Sequence, residues 1–155
     1  MSVLKDPDNS FDHSPEAGQD SLLELHTLSV HLLSGFEKMV GKADPEFRIV
    51  SERFAALHTR HVARVGTMAR EMGGLPDTDS SGTGTGTIKS AMIALRSVFD
   101  AIDQDMMDRI RKGEQPVLAA FDQAIASSLP QRHNEALVQM RTELTGVLDE
   151  SRHLG

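Results

Sequence analysis

From Ser21 onward, apolar residues recur at helical spacing. Leu22, Leu25, Leu32, Phe36 and Val40, with Ser29 among them, share one stripe at intervals of three and four, the signature of an amphipathic helix. Asp20 or Ser21 can cap its start and Gly41 can close its end. The hinge Lys42-Ala43-Asp44-Pro45 follows, with Asp44 placed as an N-cap and Pro45 as the first helical residue. A second stripe carries Phe47, Val50, Phe54, Leu57, His61, Val65, Met68 and Met72, and stops at Gly73-Gly74 with Pro76 beyond. So short a hinge predicts that the first two helices pack antiparallel.

The stretch from Gly73 to Thr87 is a Gly/Ser/Thr-rich run without periodicity, read as a flexible linker crossing to the far side. Ile88, Met92, Leu95 and Phe99 begin a third apolar period, which Ile102, Met106 and Ile110 extend. An unbroken helix over 88–128 would be about 60 Å long at 1.5 Å per residue, so a break is expected near Asp100 to Asp105. Gly113 and Pro116 interrupt the pattern, yet Val117, Phe121 and Ile125 resume the same face, which favours a kinked continuation over a restart. Pro130 opens the last helix, with Leu137, Met140, Leu144, Val147, Leu148 and Ser151 inward. No segment alternates with period two. The pattern predicts an all-α bundle of four main helices plus a shorter one in a long crossover, the ferritin-like connection rather than up-down-up-down.

Residues 1–19 lack periodicity and are rich in Asp, Ser and Pro, so they are expected to form a disordered tail ahead of a single domain over 20–155. The 155 residues contain no cysteine, which excludes disulfides, thiolate zinc sites, iron–sulfur clusters and a cysteine nucleophile. A net charge of -7 argues against nucleic-acid binding. No run reaches the roughly 20 apolar residues of a membrane span and no signal-peptide core is present, so a cytoplasmic location with no membrane partner is expected. The methionines at stripe positions (Met68, Met72, Met92, Met106, Met140) read as packing residues rather than haem ligands.

Helical-wheel geometry at about 100° per residue places His61 at the centre of the second stripe, with His58 about 60° to one side. Glu114 falls among Ile110, Val117 and Phe121 on the third. A carboxylate among aliphatic groups is costly unless paired or bound to a cation. Two histidines one turn apart and a glutamate on a facing helix can supply three ligands to iron, manganese or zinc. The alternative is a hydrogen-bonded core in which Glu114 partners a histidine or the backbone freed by Pro116. Glu150 and His153 have the Glu-x-x-His spacing of diiron bundles, but they project away from the Leu137–Leu144–Leu148 stripe. Glu24 and His31, about 120° from the apolar centre of the first helix, are expected to be solvated.

The chain resembles a bacterial family of small ferritin-like four-helix-bundle proteins of unknown function, over about residues 21–153. The resemblance rests on Gly35-Phe36, Asp44-Pro45, Arg53-Phe54-Ala55-Ala56 and Met72-Gly73-Gly74. It also rests on Lys112-Gly113-Glu114, Leu118-Ala119-Ala120-Phe121 and the leucine-rich last helix. Glu114 and Phe121 enclose six residues, similar to the Glu-x6-Tyr arrangement of erythrin-type relatives with Phe in place of Tyr. In metal-binding relatives that glutamate reaches a diiron centre that oxidises ferrous iron or reduces peroxide. The last helix of the family often carries a histidine where Leu148 stands here. A complete diiron set needs about four carboxylates and two histidines, whereas the second helix offers Arg64 and two histidines and the fourth offers no inward ligand.

Three functions compete on this reading. The first is a structural, stress-related or partner-binding bundle that forms a homo-oligomer or engages a protein partner. The second is a redox or storage protein holding iron, manganese or zinc through His58, His61 and Glu114. The third is histidine phosphotransfer, suggested by His31-Leu32-Leu33-Ser34-Gly35 and by a solvent-facing His31; Ser34 stands there in place of the lysine that would help hold phosphate. The Gly82–Gly86 run has no preceding strand and no phosphate-binding lysine, so it reads as linker rather than phosphate cradle.

Overall fold

The computed structural model describes residues 15–73 and 106–152. Its regular secondary structure over those residues is entirely helical, with α1 at Pro15–Lys42, α2 at Pro45–Glu71, α3 at Met106–Ala126 and α4 at Gln131–Glu150. The expected linker, the shorter crossover helix, the break near Asp100 to Asp105 and the first 14 residues lie outside the described residues.

The hinge folds as its chemistry dictates. Pro45 opens α2, and the Asp44 side chain accepts a hydrogen bond from the Phe47 backbone N–H at 3.1 Å, satisfying one of the donors a helix start leaves open. Two boundaries differ from the pattern. Helix α1 begins at Pro15, inside the segment expected to be tail, and its Gly18 packs against the Leu129 side chain beyond α3. Gly41 does not stop α1, which runs on to Lys42. An exposed glycine costs a helix only about 1 kcal/mol, and the stop comes instead from Asp44-Pro45. At the other end of α2, Gly73 takes φ 89°, the left-handed conformation that glycine adopts freely. Helix α3 is continuous through Gly113 and Pro116; the proline removes one backbone donor without ending the helix.

Helix α1 packs against α2 and α3, and α4 against α3 and α2, so α2 and α3 face each other across the diagonal. The hinges make α1/α2 and α3/α4 antiparallel. The start of α4 meets the end of α2 through Arg132 and His133 on Glu71, and its end meets Arg53 near the start of α2 through Glu150. Helices α2 and α4 are therefore antiparallel as well, and α2 and α3 run parallel along the diagonal. The interior is built from the predicted stripes: Leu22, Leu25, Leu32 and Phe36 on α1, Phe54, Leu57 and Val65 on α2, Ile110, Val117 and Phe121 on α3, and Leu137, Met140 and Leu144 on α4, all nearly inaccessible. Val40 and Met72 are only half-buried, and Met39 takes the core position beside Val40. Among the described residues no helix is long and apolar enough to cross a membrane.

Phe54 is fully buried and stacks on Phe36 with ring centres 4.9 Å apart. Replacing Phe54 with Ala is expected to cost about 3–5 kcal/mol of stability, measurable as a lower urea midpoint at unchanged slope in helical circular dichroism.

Candidate functional site

Among the described residues, the ionisable groups that are almost completely inaccessible, His58, His61 and Glu114, lie on the α2–α3 diagonal. His58 and His61 lie one turn apart on α2, and both are inaccessible because that helix is covered by α1 and α4 on its flanks and faces α3 across the core. A wheel centred on His61 understates the buried arc, which extends to His58. Glu114, on the inner face of α3, is likewise 0% exposed. Its Oε1 sits 2.7 Å from His58 Nε2, so a single hydrogen bond joins the two parallel helices through the centre of the bundle. Both groups lie about midway along their helices.

Aromatic rings line this bond. The His58 ring stacks on Phe36 at 5.8 Å, and Phe36 stacks in turn on Phe54. The His61 ring meets His58 edge-on at 6.3 Å and Phe121 edge-on at 5.8 Å. His61 Nε2 is 3.6 Å from a Glu143 carboxylate oxygen of α4, too far for a hydrogen bond, and Glu143 also lies 3.5 Å from Arg60. Burial, followed by the neighbouring His58, pushes the His61 imidazole down to about 4 against the opposing pull of Glu143. The neutral ring is thus the folded form near neutrality.

Four buried polar atoms of this cluster lack a hydrogen-bond partner: His58 Nδ1, both His61 ring nitrogens and Glu114 Oε2. Even so, among the described residues no three His, Asp or Glu side chains converge as a metal site. Two imidazoles sharing one tetrahedral ion have ring centres about 5 Å apart, from metal–nitrogen bonds of about 2.0–2.1 Å. The 6.3 Å separation of His58 and His61 is wider. Of the three residues singled out in the sequence, His58 and Glu114 are joined directly, and His61 stands beside them without converging.

Several flanking expectations change. His31 is half-buried rather than solvent-facing, because α1 is flanked by both α2 and α3. Glu24 is half-buried on the same helix, and burial raises its carboxyl above the usual range. Glu150 is exposed and ion-paired with Arg53; His153 lies outside the described residues.

Two buried histidines escaped the sequence reading. His133 stands four residues before Leu137, on the stripe that continues through Met140 and Leu144, and its Nε2 lies 2.9 Å from Glu71. His26 stands four residues after Leu22 and borders a groove between α1 and α2. Both continue an apolar stripe at helical spacing, which is the signal that could have found them.

Two predictions test the cluster. Removing one member of a buried pair strands the other, so Glu114→Ala is expected to lose about 3–5 kcal/mol. A His58→Leu/Glu114→Leu double variant should lose less than the two single changes summed, as read from urea midpoints in a double-mutant cycle. The second concerns pH. The unfolded chain protonates His61 near 6.5, the folded chain only near 4. Stability is therefore undiminished above about pH 6.5, falls as pH drops through that window, and levels off below it, by an amount of order 3 kcal/mol. His61→Leu should flatten that part of the melting-temperature profile. His26, lowered by burial and by Arg70, contributes in the same direction.

No curated protein and no solved structure matches the chain. The family described as Domain of unknown function (DUF2383) matches residues 18–127, across α1, α2 and all of α3. The chain belongs to this DUF2383 family.

Proposed function

We propose that this protein is a ferritin-like bundle that works without a dinuclear metal centre, as a structural unit acting through self-association or a protein partner. The helix order supports the ferritin-like reading: hairpins α1/α2 and α3/α4 with α2 and α3 parallel on the diagonal, as a bundle with one long crossover has. The observation that carries the reading is the filling of the central level. There the Glu114–His58 hydrogen bond is stacked against Phe36 and followed by His61 and Phe121, and Leu144 and Leu148 of α4 are buried aliphatics rather than ligands. A set of four carboxylates and two histidines does not fit these residues.

A second reading, one iron, manganese or zinc ion held by Glu114, His61 and His58, is favoured by the four unpartnered polar atoms of the same cluster. Such an ion would act as a Lewis acid or a redox centre. One experiment separates the two. The protein is purified without chelator, its metal content is measured, and its melting temperature is recorded with added ferrous, manganous and zinc ions. The structural reading expects substoichiometric metal and an unchanged melting temperature. One ion per chain, lost in Glu114→Gln, would replace it with the second reading. Sedimentation of the metal-free chain tests the self-association half of the proposal: a monomer at all concentrations leaves only the partner.

A further inference from the structure

Away from the central pair, a groove of about 430 Å³ opens between α1 and α2, bordered by His26, Val30, Val62, Ala63, Gly66 and Arg70. Its size falls within the range of small-molecule sites, about 300–1,000 Å³. Its walls are mostly aliphatic and contain no carboxylate. The bordering Thr67 hydroxyl is already committed to its own helix, donating to the Ala63 carbonyl. Two polar groups are left over. Arg70 is exposed and has no ion pair among the described residues. His26 is 6% exposed, and its Nδ1 is buried without a hydrogen-bond partner.

A guanidinium with no ion pair among the described residues, beside an aliphatic groove, is the usual counterpart of a carboxylate. We propose that this groove binds a small amphipathic monocarboxylate, its carboxylate on Arg70 beside the exposed edge of the His26 ring and its aliphatic body along Val30, Val62 and Gly66.

Charge counting decides the class. The groove supplies one fixed cation, and burial together with Arg70 keeps His26 below its usual range and so neutral at pH 7. One negative charge is balanced there. A phosphate dianion would carry an unmatched charge against apolar walls. The groove on the other side of Ala63 and Thr67, about 410 Å³, is different: its Glu71 already occupies Arg132 and His133. The α1–α2 groove is the better anion site because its cation has no ion pair among the described residues.

The test is a titration of the full chain with octanoate below its micelle concentration, followed through the His26 imidazole signals in NMR, assigned by their loss in His26→Gln. Inorganic phosphate and n-octanol serve as probes of charge and of the apolar body. The expected result is a saturable shift of the His26 signals with octanoate. Phosphate should give none, octanol should bind at least tenfold more weakly, and Arg70→Gln should weaken octanoate at least tenfold, with Arg70→Lys intermediate. Arg70 and Ala63 are exposed, so Arg70→Gln and the groove-blocking Ala63→Trp should melt near the wild-type temperature, and Ala63→Trp should also lose the shift. No saturable shift in the wild type would overturn the proposal. So would a shift unchanged in both variants, or an equal response to phosphate.

Discussion

The hydrogen bond between His58 and Glu114 is the constraint around which the bundle is arranged. It joins helices that are not neighbours, between two side chains that are both 0% exposed. A carboxyl group at zero exposure is acceptable there only with a partner, and the partner must lie at the same height on the opposite helix. That condition links two features of the chain that are 56 residues apart: the phase of α2 after its Asp44-Pro45 start and the phase of α3 through Pro116. Phe36 completes the arrangement from α1 by stacking on the imidazole, so three of the four helices meet at one level.

Helix α4 is attached differently. Around its buried Leu137, Met140 and Leu144, its seam with α3 carries the Arg141–Asp122 pair, and its seam with α2 is bordered by Arg53–Glu150, Arg60–Glu143, Arg132–Glu71 and His133–Glu71. Most of these ion pairs are exposed, and exposed pairs contribute only about 0–1 kcal/mol each. Burial of the leucine stripe therefore supplies the attachment, and the charged pairs act mainly on alignment. Because those with α2 tie the end of α4 to the start of that helix, and the reverse, they favour the antiparallel orientation over the parallel one.

Most of the architecture was legible as periodicity. The four stripes, the Asp44 cap, the Gly73 stop and the passage of α3 through Pro116 all follow from residue spacing and backbone chemistry. What could not be read was the width of each buried arc. A wheel gives the direction of a side chain from one helix, but burial depends on how many neighbours that helix has. With two neighbours each and a third helix across the diagonal, His58 is fully enclosed despite lying about 60° from the stripe centre, and Glu24 and His31 are half-covered rather than solvated. The same limit hid His133 and His26, which occupy stripe positions as polar residues. For the candidate site, the sequence indicated which groups enter the core. It could not indicate that Glu114 would bond to His58 rather than share a ligand with His61, because that depends on the axial offset between α2 and α3.

That offset is where the polar pair has its clearest consequence. A bundle held by leucine and phenylalanine alone tolerates a slip of one helical turn, about 5.4 Å, since one aliphatic layer can replace the next. A one-turn slip of α3 against α2 would carry Glu114 away from His58 and leave both groups buried without partners, a penalty larger than a modest loss of packing. A pair that contributes little net stability compared with an apolar replacement can thus still exclude the slipped registers. His61 and Phe121, in edge contact at the neighbouring level, extend the same restriction along the core, because the flat ring edge has one matching face and the aliphatic layers on either side do not.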